Sequence, residues 1–172
     1  MLQIAGLDFG CGTDGTCSPG NVVDPGQKGL DQMKHFVDDD GLNTFRIPVG
    51  WQYLVDSVGG TLNADHWATY DKQIQGCLDA GAAMCIVDVN NYGRYNGAIV
   101  GQGGPTDVQF ASLWSQIAAK YKGNAKIAFG VMNEPVSFFY GVLSPKLTFL
   151  PTNIRSSTTL ISRAGQPLFR PP

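Results

Sequence analysis

Residues 126–135 read KIAFGVMNEP, and they hold the only glutamate among the 172 residues of the chain. From 127 to 132 the run is almost unbroken apolar and of strand length, the pattern of a strand buried on both faces. It then delivers Asn133, Glu134 and Pro135. A carboxylate at the end of such a strand loses water and gains a raised pKa unless something pairs it, which suits a general acid working near neutrality. The plainer reading is that Glu134 caps a following helix, and this run alone does not separate the two.

Working outward, three more strands alternate with three helices. Residues 4–9 form a short apolar segment with Asp8 near its end, followed by a Gly-, Thr- and Cys-rich loop. Over 29–40, Leu30, Met33, Phe36 and Val37 recur at helical spacing, and Gly41 supplies a C-terminal stop. Residues 43–49 make a strand in which Arg46 lies two positions before the ladder-breaking Pro48. Trp67, Tyr70, Ile74, Cys77 and Leu78 give 64–80 one apolar helical face. Trp67 and Tyr70 are therefore core residues and not a ligand platform. Residues 84–89 form a strand that ends in Asn90-Asn91-Tyr92. The Gly-rich loop 93–105 does not lead from a strand into a helix in the phosphate-cradling manner, so Gly101 to Gly104 read as a turn. Thr106 or Asp107 caps a helix running to Tyr121, and Gly123 stops it before the Glu134 strand.

This alternation predicts an α/β fold of about four parallel strands joined by right-handed crossovers, in an open sheet or part of a barrel. In both, reactive groups gather at the carboxyl ends of the strands. Asp8, Arg46, Asn90 with Asn91, and Asn133 with Glu134 occupy those ends in turn.

Composition narrows the class. An apolar fraction of 43% and a charged fraction of 15% describe a globular chain with a lightly charged surface. A net charge of −2 without a basic, aromatic-interleaved patch argues against a nucleic-acid partner. No window approaches the ~18 apolar residues of a membrane span. No secretory signal follows Met1 in this form, although one could have been removed. Cys11 with Cys17 and Cys77 with Cys85 are close pairs, which favours two disulfides and an oxidising compartment over buried thiols. A zinc site fits less well, because neither His35 nor His66 completes a ligand pattern with them.

The segments Ile4-Ala5-Gly6-Leu7-Asp8-Phe9-Gly10, Phe45-Arg46-Ile47-Pro48-Val49-Gly50-Trp51, Ile86-Val87-Asp88-Val89-Asn90-Asn91-Tyr92, Gly101-Gln102-Gly103-Gly104-Pro105-Thr106 and Met132-Asn133-Glu134-Pro135 make residues 4–135 resemble family-five glycoside hydrolases, specifically the fungal endo-β-1,4-glucanases. The resemblance implies a (β/α)8 barrel, or TIM barrel, that cleaves β-1,4-glucan with retention, using two carboxylates and neither metal nor cofactor. It makes Glu134 the general acid/base, Asn133 the group that hydrogen-bonds the sugar 2-hydroxyl, Arg46 the support of the nucleophile and Asn91 a further polar member of the site. Trp51, Tyr92 and Tyr95 fall in loops that line the glycan cleft, so cellulose or a cello-oligosaccharide is the expected partner, and the location extracellular.

Two departures stand out. Asn90 replaces a histidine, exchanging a group that can hold a proton for one that cannot. After Pro135 the resemblance stops, and with it the strand that brings the family's nucleophile. With 172 residues against the ~250 of a closed barrel, the expectation is a truncated half-barrel over 1–135 and an irregular, non-family tail over 136–172. That tail contains no Asp or Glu, and Lys146, Arg155, Arg163 and Arg170 make it basic. It reads as the product of a misread exon boundary or frameshift, with a targeting tail as the alternative. Asp88, one layer deeper than Asn90 on the same strand face, reads as a buried hydrogen-bonding group rather than a catalyst. Open barrel edges also predict a homodimer in which each first strand meets the other copy's fourth.

Overall fold

In the computed structural model, residues 1–135 and the backbone of 161–163 are described. Strand β1 (Leu2–Gln3) leads through a long loop to helix α1 (Gly26–Asp38), and strand β2 (Thr44–Val49) runs into a single helical turn, α2 (Trp51–Leu54). Helix α3 (Ala64–Asp79) and strand β3 (Met84–Val89) follow, then a hairpin of β4 (Arg94–Tyr95) and β5 (Ala98–Ile99). Helix α4 (Asp107–Lys120) returns the chain to β6 (Ile127–Gly130), and β7 (Ile161–Arg163) completes the described elements. The main sheet has the order β1-β2-β3-β6-β7, its first four strands parallel. This is the predicted partial (β/α)8 barrel.

Alternation along each strand separates two chemistries. Phe45, Ile47 and Val49 of β2, Cys85, Val87 and Val89 of β3, and Ile127 and Phe129 of β6 join Met33, Tyr70, Ile74, Trp114 and Ile117 of the helices in one buried cluster. The opposite face carries Arg46, Pro48, Ile86 and Asp88, with Arg46 level with Ile86 and Pro48 level with Asp88. Pro48 has no N–H to give, and beside it the hydroxyl of Tyr70 donates to the Ile47 carbonyl (2.7 Å) and accepts from the Asp88 amide (3.2 Å). Burial pushes the Tyr70 hydroxyl well above its ordinary pKa, so it stays neutral in that bridge.

Local signals account for the helix starts. The Asn63 side chain accepts from the amides of Asp65 and His66, both at 3.1 Å. Thr106, not Asp107, caps α4, in a capping box with Gln109. Gly41, at φ 66°, lets the Leu42 amide turn back to the Phe36 carbonyl at the end of α1.

Several expectations change. The first strand is Leu2–Gln3 instead of 4–9: the Gly6 amide bonds the Asp8 carboxylate at 2.9 Å and the Phe9 amide returns to the Gly6 carbonyl. Asp8 is thus a turn residue and not a strand end. The hairpin around Asn96-Gly97, both at positive φ, lay in a stretch expected to be loop, although Asn-Gly is the strongest short hairpin signal. The irregular-tail expectation falls outside the described residues except at 161–163, which form a strand antiparallel to β6. That strand takes the outer edge of Ala128–Gly130, the edge that a two-copy closure onto the fourth strand requires open.

The four cysteines form two disulfides, Cys11–Cys17 and Cys77–Cys85. The second ties the end of α3 to the start of β3. No described helix is long and apolar enough to cross a membrane.

Candidate active site

Arg46 is the hub. Its Nη1 donates to Gln3 Oε1 (2.7 Å), and its Nη2 donates to Asp88 Oδ2 (2.6 Å) and to Asn133 Oδ1 (2.7 Å). One guanidinium thereby spans the sheet from β1 through β3 to the end of β6. Asp88 is wholly buried, while the Arg46 side chain is 13% exposed. Burial, opposed by the Arg46 cation and reinforced by the Asp8 carboxylate, lifts the Asp88 carboxyl from 3.8 to about 6. Its Oδ1, like Arg46 Nε, is buried without a hydrogen-bond partner.

The remaining strand-end groups surround this hub. Asn133 is held by its own amide to the Val89 carbonyl (2.9 Å), and Asn90 by its amide to the Val49 carbonyl (2.9 Å). The Asn90 side chain donates to Asp8 at 3.4 Å and leaves its Oδ1 buried and unpartnered. Glu134 is exposed and sits at φ 34°, in the left-handed region that glycine favours. The water exclusion expected of a buried strand end is therefore not met at Glu134. Tyr92, half-buried at φ 55°, adopts the same unusual backbone at the end of the neighbouring strand. A Cβ on Gly93 would lie 3.4 Å from the Pro135 Cβ, so the loops carrying Tyr92 and Glu134 touch.

Two residues expected at the site lie inside the protein. Trp51 is fully buried, edge-on to Tyr95 (5.1 Å between ring centroids) and tilted against Phe110 (5.5 Å). It has no free face for a sugar. Asn91 is also fully buried. Its Oδ1 accepts from the Trp51 amide (2.7 Å), and its Nδ2 donates to Gln52 Oε1 (2.6 Å) and toward Cys17 Sγ (3.6 Å). Its geometry is that of a brace between the end of β3, α2 and the first disulfide. Gln52 extends the brace to the Gly15 carbonyl (2.8 Å) and Asn96 Oδ1 (2.9 Å). Tyr95, half-buried, is the remaining aromatic of this wall, and burial raises its hydroxyl pKa.

Gln3, Asp88 and Gln52 were absent from the expected site residues. Gln3 had a visible signal, since it is the single polar residue in Met1-Leu2-Gln3-Ile4. Asp88 had the same-face spacing from Asn90. Gln52 had none, because its partners come from three separate loops. Among the described residues no cluster of His, Cys, Asp or Glu is arranged to hold a metal ion.

Residues 11–139 match the family description cellulase, glycosyl hydrolase family 5. The chain belongs to that family. Among its relatives, endoglucanase EG-II of Hypocrea jecorina is 53% identical over 78% of the chain and 34% of its own length. The manganese dependent endoglucanase Eg5A of Phanerodontia chrysosporium is 37% identical over 95% of the chain and 40% of its own length. The crystal structure of Cel5A (EG2) from Hypocrea jecorina superposes with a TM-score of 0.75 at 51% identity, covering 78% of the chain and 44% of that structure. The chain thus spans about a third of the length of the curated relatives it matches.

Proposed function

We propose that this chain carries the acid/base half of an endoglucanase-type site and acts on, or binds, β-1,4-glucan. Glu134 is the general acid/base in this reading, and Asn133 the donor to the sugar 2-hydroxyl. Arg46 and Asn90 line the floor, and Tyr92 and Tyr95 supply aromatic surface beside it. The observation that carries the reading is the Arg46–Asn133 hydrogen bond, which fixes the residue before Glu134 at the same rim as Asn90 and Asp8. A cofactor has no role in it. Secretion fits the two disulfides. The division at residue 135 between barrel and tail belongs to the same proposal. So does a homodimer, now through the β1 edge at Leu2–Gln3, because β7 lies along β6.

A second reading is a catalytically weak or inactive glycan-binding remnant. Retaining hydrolysis needs a second carboxylate ~5–5.5 Å from the first. The 172 residues contain no other glutamate. Asp88 is buried against Arg46, and Asp8 is engaged by the Gly6 amide. Reducing-sugar release from carboxymethylcellulose, compared between the parent and Glu134→Gln, decides between them. Release by the parent alone supports hydrolysis by Glu134. Release by neither, with cello-oligosaccharide binding retained, leaves the binding reading. Neither release nor binding overturns both.

A further inference from the structure

We propose that Asp88 is a positioning residue of this site: its buried carboxylate anchors the Arg46 guanidinium where three strands meet, and so fixes which face of the Asn133 carboxamide is offered to a ligand. Arg46 has only donors, so the Asn133 atom 2.7 Å from its Nη2 is the carbonyl oxygen, and the Asn133 Nδ2 is left turned away from it. The site consequently presents Asn133 as a hydrogen-bond donor. If Arg46 let go, the carboxamide would be free to turn about its last torsion and offer donor or acceptor alike.

What keeps Arg46 in place is unequal. Gln3 Oε1 is a neutral acceptor on an exposed side chain of the short edge strand β1, and Asn133 is the group being positioned. Asp88 is the one charged partner, 2.6 Å away on the central strand β3, with no exposure to water. Its backbone is held too, through the Tyr70 hydroxyl. A charge-assisted bond from so fixed a carboxylate is the strongest constraint on the guanidinium. The arrangement also leaves Asp88 Oδ1 and Arg46 Nε unpartnered and buried, a cost that a merely space-filling pair would not carry.

The anchor has its full, charge-assisted strength only while Asp88 is ionised. The titratable and charged groups facing it are Arg46 from β2, Asp8 from the turn after β1 and Tyr70 from α3. Tyr70 stays neutral, so the anchor loosens as pH falls through the Asp88 midpoint near 6.

The test uses the whole chain, isotope-labelled for NMR, with cellotetraose as the probe; the ligand part rests on the glucan reading above, and the NMR part does not. In the unliganded parent, the Asn133 side-chain amide signals are expected to shift with the same midpoint as the Asp88 carboxyl carbon, near pH 6. In Asp88→Asn they stay still over that range. Cellotetraose affinity at pH 7 is expected to fall about tenfold in Asp88→Asn. In Asp88→Asn/Asn133→Ala it falls no further than in Asn133→Ala alone, because the two residues act in series. Asn133 signals that ignore the Asp88 titration, or losses that add in the double variant, overturn the proposal. If the parent binds no cellotetraose, the glucan reading falls while the co-titration still decides the role of Asp88. If Asp88→Asn does not fold, the parent's co-titration decides alone.

Discussion

The burial of Asp88 has a stability consequence that one substitution isolates. Its carboxyl titrates at about 6 in the fold against 3.8 as a free side chain. Below pH 4 the folded and unfolded chains both hold the proton. Between pH 4 and 6 the folded chain holds it and the unfolded chain does not. Above 6 both are ionised, and the fold bears the whole cost of a buried charge. The stabilisation contributed by this group is therefore complete below its unfolded pKa and is lost as pH rises through 6. A raised pKa of about 2 units corresponds to about 3 kcal/mol. In Asp88→Asn the group cannot titrate. The difference in unfolding free energy, parent minus variant, should thus fall by about 2.5 kcal/mol between pH 4 and pH 7. Urea unfolding of both proteins at pH 4, 5, 6 and 7 and one ionic strength measures it, and subtraction cancels the other carboxylates. A difference that does not change with pH, or one that favours the parent as pH rises, would mean that the Arg46 cation outweighs desolvation and would refute the reasoning.

Three further outcomes follow from named contacts. Tyr70→Phe leaves the Ile47 carbonyl and Asp88 amide without their bridge and should cost about 1–3 kcal/mol in chemical denaturation. Asn91→Ala strips the Trp51 amide of its acceptor; a loss of about 1–3 kcal/mol is expected, with a change in near-ultraviolet tryptophan dichroism, and an unchanged spectrum counts against the brace. Replacing Cys77 and Cys85 together by alanine opens a loop of separation 8 and should lower stability by about 2.5 kcal/mol on the chain-entropy account, measurable as a drop in thermal midpoint.

Much of this was already written in the order of residues. Apolar runs of strand length and helical spacings placed β2, β3, β6 and three helices, because burial on a strand or helix imposes its period on the sequence. Polar residues on or after β2, β3 and β6 pointed to a candidate site, since parallel strands deliver their carboxyl ends to one rim. The Asn-Gly of the hairpin was legible too, but the glycine-rich stretch around it masked the signal.

Tertiary structure alone decided the rest. Trp51 and Asn91 stand in loops, where sequence cannot tell an inward side chain from an outward one; packing against Tyr95, Phe110, Gln52 and the first disulfide turned both inward. Gln3 and Asp88 became part of the site because register sets β1, β2 and β3 side by side, bringing residues 43 and 42 positions away onto one guanidinium. The edge of β6 was filled by a segment more than 30 residues further along, a pairing that no local pattern encodes. Local sequence dictates which elements form, through propensity and periodic burial. Which side chains then meet depends on contacts between distant residues, and those exist only once the sheet has assembled.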